Sequence, residues 1–187
     1  MDIRINQTPL PGCFLIHLPE QKDLRGRFVK LFHENTFRDN DLETAYPEVY
    51  YSLSRQGVLR GLHFQTPPAD HVKLVHCLEG HILDAVVDLR RGSPMYMQHA
   101  TFELAEHEAV MLYIPRGMAH GFCVESETAL VLYQVSTVYS PDHDKGILWN
   151  SAGIAWPSSS PVLSERDKSF PPLTVFDSPF TFSDQGG

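Results

Sequence analysis

Cysteine is scarce in this 187-residue chain: Cys13, Cys77 and Cys123 stand far apart, each within apolar text. No CxxC pair occurs. That argues against a disulfide framework, and against a structural zinc site, whose ligands come in closely spaced pairs. The three are expected as reduced, buried thiols of a cytoplasmic protein. Long apolar runs are missing too. Nothing approaches the roughly 18 residues of a membrane span, and the opening MDIRINQTPLPG has no apolar run of signal-peptide length. Positive charge is the minority, with 15 Lys and Arg against 23 Asp and Glu and a formal net charge of −8. A nucleic-acid or anionic-membrane surface is therefore not expected. An anionic small ligand would need a local basic pocket. Internal repeats and low-complexity segments are absent.

What is present is strand text. Gly12 to Leu18, Arg27 to His33, Tyr46 to Ser54, Val58 to Gln65, His71 to Leu78, His81 to Leu89, Tyr96 to Leu104 and Ala109 to Ile114 each read as a strand. His120 to Val124 and Thr128 to Val138 read as a hairpin, and Glu34 to Leu42 as the place of a short helix. About ten short strands, spaced by roughly 8 to 12 residues, indicate an all-β sandwich or barrel in one domain over 1–187. From 141 to 187 the text changes. Pro141, Pro157, Pro161, Pro171, Pro172 and Pro179 punctuate an aromatic-rich tail that is expected to wrap the barrel. Ser164 to Lys168 has the N-cap signature of a short helix.

The polar residues inside apolar strands carry the chemistry. In LRGLHFQ, Leu59 to Gln65, Arg60 and His63 interrupt a run that should be buried. Buried polar groups are costly unless they find partners or do chemistry. One such histidine is ordinarily a satisfied core residue. Here Lys73, Asp84, His120 and Tyr133 also sit in strand text, so a single polar cavity is the simpler account. A base (His63), a cation (Lys73) and an acid (Tyr133) equip it for proton abstraction beside a carbonyl. A metal is the competing reading, because His63, His71, His76, His81 and His120 lie near one another in sequence. Period 2 opposes it: Lys73 shares a face with Val75 and Cys77, whereas Val72, Leu74 and His76 share the other. A lysine beside a divalent ion would be repelled.

RGLHFQ at 60–65, KLV at 73–75, DAVVDLR at 84–90, IPRGMAHGF at 114–122, LY at 132–133, YSP at 139–141, ILWN at 147–150 and LSERD at 163–167 together resemble the dTDP-4-dehydrorhamnose 3,5-epimerase family. The resemblance implies a double-stranded jelly-roll barrel of cupin type with an irregular C-terminal tail and short helices. It implies no metal and no other cofactor, and a homodimer whose N-terminal strands, within 1–55, pack on the partner. The implied substrate is a nucleotide-linked 4-keto-6-deoxy sugar, dTDP-4-dehydro-6-deoxyglucose foremost, epimerised at C3 and C5. By the same resemblance His63 is the general base, Asp167 its carboxylate partner, Tyr133 the general acid and Lys73 the stabiliser of the enolate oxygen. Arg60 and His120 contact substrate, and Asp84 supports the cavity. Arg25, Phe28, Lys30, Tyr50, Ser52, Tyr139, Asp144 and Arg166 complete the substrate-binding set.

Three positions depart from the family pattern. Lys30 stands where a glutamate is common, Tyr50-Tyr51-Ser52 where Gln-Asp-Asn is common, and Gln134 where a lysine is common. A CDP- or GDP-linked sugar, or inversion at one carbon only, is the near alternative. A metal-dependent cupin enzyme or a catalytically silent sugar-nucleotide-binding module is the alternative of another class.

Overall fold

The computed structural model describes residues 3–183. In chain order the elements are β1 (Arg4–Gln7), β2 (Phe14–His17), β3 (Glu20–Asp23), β4 (Gly26–Val29), α1 (Glu34–Arg38), β5 (Glu48–Arg55), β6 (Leu59–Gln65), β7 (Lys73–Glu79), β8 (His81–Asp88), β9 (His99–Ala105), β10 (Val110–Ile114), β11 (Met118–Val124), β12 (Thr128–Val135), β13 (Asp144–Gly146) and α2 (Glu165–Ser169), then a 3-10 turn at Leu173–Val175. The fold is all-β. One six-stranded sheet runs β1-β2-β10-β7-β12-β5, one five-stranded sheet runs β13-β6-β11-β8-β9, and β3 pairs with β4 alone. Among the described residues no helix is long and apolar enough to cross a membrane. Residues 1–2 and 184–187 lie outside the description, including the ends of the expected domain and tail.

Most strands are apolar on both faces because both faces are covered. Between the sheets, Val75, Cys77, Leu112 and Val131 meet Ile82, Val86, Leu104 and Phe122. The outer face of the five-stranded sheet, with Leu62, Ala85, Val87 and Ala119, is covered from the tail by Ile147, Ile154, Leu173 and Phe180. The outer face of the six-stranded sheet, with Ile16, Leu74, Met111 and Tyr113, is covered by Phe37 of α1 and by Leu42. Each such large side chain contributes roughly 1.5–3 kcal/mol by leaving water. The three cysteines are free and buried, as their apolar surroundings imply.

Several boundaries differ from the expectation. The expected strand at Arg27 to His33 ends at Val29, because the chain turns to place Phe37 in the core. The strand expected from Tyr96 begins at His99, after a turn. The expected hairpin of β11 and β12 does not form. β11 pairs with β6 and β8, whereas β12 pairs with β5 and β7 in the facing sheet. β2 is an interior strand between β1 and β10, not an open edge. The edge that carries exposed apolar side chains is β5, with Val49 54%, Tyr51 68% and Leu53 60% exposed.

Two glycines let β6 and β11 approach closely enough to seat the polar residues beside them. Gly61 has φ +137, and a Cβ there would lie 2.5 Å from the Gly121 Cα. A Cβ on Gly121 would lie 2.7 Å from the Arg60 carbonyl oxygen. Both clashes are with backbone, which cannot swing away. Gly61→Ala is therefore expected to destabilise the fold by about 3 kcal/mol through combined strain and overpacking. A thermal or urea unfolding series measures it, and a melting temperature within a degree or so of the parent would contradict this close-approach account.

Candidate active site

Two joined cavities, each of about 270 Å³, open at one end of the space between the sheets and share Tyr50, His63 and Lys73 as walls. Ser52, Arg60, His120, Phe122 and Tyr133 complete the inner one. Glu48, Gln65, His71, Tyr139, Asp144 and Arg166 help to line the outer one. The strand registers explain the gathering. His63 and His120 are direct partners across β6 and β11, so both point into the gap. Tyr133 faces Tyr50 across β12 and β5. Lys73 projects from β7 on the face it shares with Val75 and Cys77, as period 2 requires.

His63 Nε2 lies 2.8 Å from Asp167 Oδ1. The pair is held by its surroundings. Gly61 N–H donates to Oδ2 at 3.3 Å, Ser164 Oγ caps α2 by accepting from Asp167 N–H at 3.1 Å, and Phe170 packs edge-on against the imidazole. Burial by itself would raise the Asp167 carboxyl. The hydrogen bond and charge of His63, with the Gly61 N–H, outweigh it and hold the group below the ordinary carboxylate range. An ionised Asp167 accepts only, so the proton is assigned to Nε2, and Nδ1 is left as the basic lone pair.

A second histidine–carboxylate pair stands deeper. His120 Nε2 is 2.7 Å from Asp84 Oδ2, and both side chains are essentially inaccessible. Burial pushes Asp84 up and His120 down, each towards its neutral form, against the attraction of the pair. The other oxygen, Asp84 Oδ1, is buried with no hydrogen-bond partner among the described residues. Burial also drives His71 down to about 3, helped by the Lys73 charge, so that imidazole stays neutral while it bonds Gln65 Nε2 at 3.2 Å.

Lys73 is 7% exposed, and no carboxylate among the described residues lies within ion-pair distance of it. Burial lowers it to about 8, resisted by the charges of Asp84 and Asp144. Tyr133 is 6% exposed. Burial, first of all, pushes its phenol far up, so the group is a protonated donor at every physiological pH. Arg60 is held by donating from Nε to Ser54 Oγ at 2.9 Å. Arg166 pairs with Asp144 at 2.7 Å beside the outer cavity and lies over the Phe170 ring.

Not all expected residues assemble here. Arg25 and Phe28 line a groove on the β3–β4 hairpin, with Arg25 bonded to Asp23. Lys30 lines a separate, mainly apolar cavity with Ile3, Pro19 and Phe37. Within one chain these three lie away from the cleft. Of the divergent triplet, Tyr50 and Ser52 face the cleft, and Tyr51 points to solvent. Gln65 was visible in the motif but given no role. It staples two loops that border the cleft, donating to the Ala69 carbonyl at 2.8 Å and accepting from Ser140 N–H at 2.6 Å. Glu48 and His71 carried no signal beyond their residue type.

In the cleft His63 and His120 each bond a carboxylate, and His71 bonds the Gln65 side chain. The metal-type grouping found among the described residues, His81 with Glu103 and Glu125, lies outside the cleft lining.

The chain matches a family model described as dTDP-4-dehydrorhamnose 3,5-epimerase over residues 7–174. It is 41% identical over 155 residues to a protein of that name from Sinorhizobium fredii, covering 81% of this chain and 80% of the relative. It is 36% identical over 177 residues to one from Methanothermobacter thermautotrophicus, covering 92% and 95%. Among solved structures it resembles the dTDP-6-deoxy-D-glucose-3,5-epimerase of Legionella pneumophila in complex with dTDP-4-keto-L-rhamnose, with a TM-score of 0.92 at 29% identity over 97% of this chain and 100% of the other.

The buried ammonium of Lys73 leaves a mark on stability. Unfolded, the lysine keeps its proton up to 10.5, and folded it releases it above about 8. In that window the unfolded state binds more protons, so stability rises with pH. The gain is about 3 kcal/mol across the window. Chemical denaturation from pH 7 to 10.5 should show the parent gaining on Lys73→Met as pH rises, while the buried thiols of Cys13 and Cys77, pushed up to about 12, pull both proteins down alike above pH 9. Parallel profiles for the two proteins would refute it.

Proposed function

The chain belongs to the dTDP-4-dehydrorhamnose 3,5-epimerase family, and from that premise we propose that it epimerises a nucleotide-linked 4-keto-6-deoxy sugar, dTDP-4-dehydro-6-deoxyglucose foremost, by proton transfer beside the C4 ketone. The observation that carries the reading is the His63–Asp167 pair on one sheet opposite Tyr133 on the other, with Lys73 between them at the cavity wall. Nδ1 of His63 takes the proton from the carbon next to the ketone. The C–H electron pair becomes the C=C bond, and the carbonyl pair moves onto oxygen. The Lys73 ammonium stabilises that enolate oxygen in a site from which water is largely excluded. The enolate pair then takes a proton from the Tyr133 hydroxyl on the opposite face, and the ketone reforms with inverted carbon. Solvent reprotonates Tyr133 and accepts the proton from His63. Every step is supplied by side chains, and no metal or other cofactor is drawn upon. General acid–base groups of this kind contribute about 10²–10⁴ each.

The two facing sheets fit a double-stranded jelly roll of cupin type, in one domain over 1–187 whose tail, 141–187, wraps the barrel. Free buried thiols fit a cytoplasmic enzyme. A homodimer accounts for two otherwise unexplained features. Val49, Tyr51 and Leu53 form an exposed apolar stripe on an edge strand. Arg25 and Phe28, on a hairpin that pairs with neither sheet, stand free for a neighbour's nucleotide. Lys30, Tyr50 and Ser52 in place of the common residues make the nucleotide and sugar the least constrained part of the reading. A tyrosine offers one hydroxyl and a ring face where an amide would both donate and accept.

His63→Ala should abolish solvent deuterium incorporation into the substrate, by about 10³-fold or more, with an unchanged circular dichroism spectrum. Near-normal turnover would sink the assignment of the base. The same assay on dTDP-, CDP- and GDP-linked 4-keto-6-deoxyglucose ranks the nucleotides. The highest kcat/KM is expected for the dTDP compound, and a CDP or GDP preference would shift the reading to the alternative substrate.

For the shared site, Arg25→Ala and His63→Ala proteins are mixed under subunit exchange. A dimer with interlocked sites generates one intact site per mixed dimer, so activity above either parent is expected. No recovery, with exchange verified, would show that Arg25 serves its own chain.

A further inference from the structure

The inward face of β5 presents Tyr50, Ser52 and Ser54 at alternate positions. Each grips a residue of the cleft. Tyr50 stacks on Tyr133 with ring centroids 4.8 Å apart and planes within 20°. Ser52 Oγ lies 3.3 Å from Tyr133 Oη and is the only hydrogen-bond partner of that hydroxyl among the described residues. Ser54 accepts from Arg60. The Tyr133 hydroxyl is thus directed by one ring face and one hydrogen bond, both from the same strand.

Direction matters more for this donor than for the base. His63 and Tyr133 project from opposite sheets. Once His63 has formed the enolate, two outcomes compete. A proton delivered from the Tyr133 side inverts the carbon. A proton returned from the His63 side restores the starting configuration, and only isotope exchange records that the bond was broken. A donor hydroxyl displaced by about 1 Å loses much of its advantage, and the enolate then collapses towards the base side.

We propose that Ser52 and Tyr50 are positioning residues that aim the Tyr133 hydroxyl, and so set the ratio of inversion to fruitless exchange. The inference rests on the epimerase reading above. The hydroxyl of Ser52 can turn to either role. It accepts from Tyr133 at rest, and it donates to the Tyr133 oxygen as the phenol gives its proton to the enolate carbon. That oxygen then regains a proton from solvent. The hydrogen bond from Ser52 is the main influence that offsets the burial of the phenol.

The test compares the parent, Ser52→Ala and Ser52→Thr in deuterated buffer with the dTDP-linked 4-keto-6-deoxyglucose. Deuterium incorporation and inverted product are measured together by NMR. Ser52→Ala is expected to lower the ratio of inversion to exchange by about tenfold, the scale of one lost hydrogen bond to a group that gains charge in the transition state. Ser52→Thr, which keeps the hydroxyl, should restore it. A merely structural role would depress both signals together, and an unchanged ratio at any overall rate overturns the proposal. A parent protein that exchanges nothing counts against the epimerase reading instead. The aiming claim is then decided by the crystal structure of Ser52→Ala, in which a Tyr133 ring displaced from the Tyr50 stack supports it and an unmoved ring overturns it.

Discussion

The contact between Asp167 and β6 is the constraint on which the site depends. One carboxylate accepts from His63 and from the Gly61 N–H, and it does so across more than a hundred residues of chain. Everything that lets it arrive there is local to the tail. Ser164 caps a helix of a single turn, and Phe170, next to the helix end, packs on the imidazole. The same tail seals the outer face of the five-stranded sheet. The glycine pair on β6 and β11 sets how near the backbone carrying His63 comes to the strand carrying His120.

Burial then sorts the charges. A phenol and an imidazole in the cleft are kept neutral, Tyr133 and His71 both by burial first and His71 also by the nearby Lys73 charge. Burial lowers the Lys73 ammonium to about 8, and the fields of Asp84 and Asp144 partly offset its loss of water. Replacing a whole set of buried charges by well-packed apolar groups is often neutral or favourable for stability, whereas removing one partner alone is destabilising. The cleft is thus a place where the fold keeps a buried cation, while the rest of the space between the sheets is packed with Val, Leu, Ile and Phe.

β5 links the site to the exterior. Its inward residues hold Tyr133 and Arg60, and its outward residues form the exposed apolar stripe. As an edge strand it is paired on one side only, to β12. A neighbouring subunit seated on the stripe, as in the proposed dimer, would stiffen the strand that holds Tyr133 and Arg60.

Much of the molecule was legible in residue order because strands of period 2 report their own faces. The alternation of Val72, Leu74 and His76 against Lys73, Val75 and Cys77 foretold which side of β7 meets the cavity, and Ser164 marked its own helix. The polar residues of the cleft stood out because each interrupts apolar text. Which strands share a sheet was not legible. The short connection from β11 to β12 reads alike whether the chain returns beside itself or crosses to the facing sheet, and the choice lies in hydrogen-bond partners from β6, β8, β5 and β7. Nor could the residues alone show that Arg25, Phe28 and Lys30 leave the cleft of their own chain, or that Ser52 reaches Tyr133 while Tyr51 turns away. Local pattern determines the direction of a side chain relative to its strand. Only tertiary packing decides what stands opposite it, because that depends on backbone distances between segments far apart in the chain.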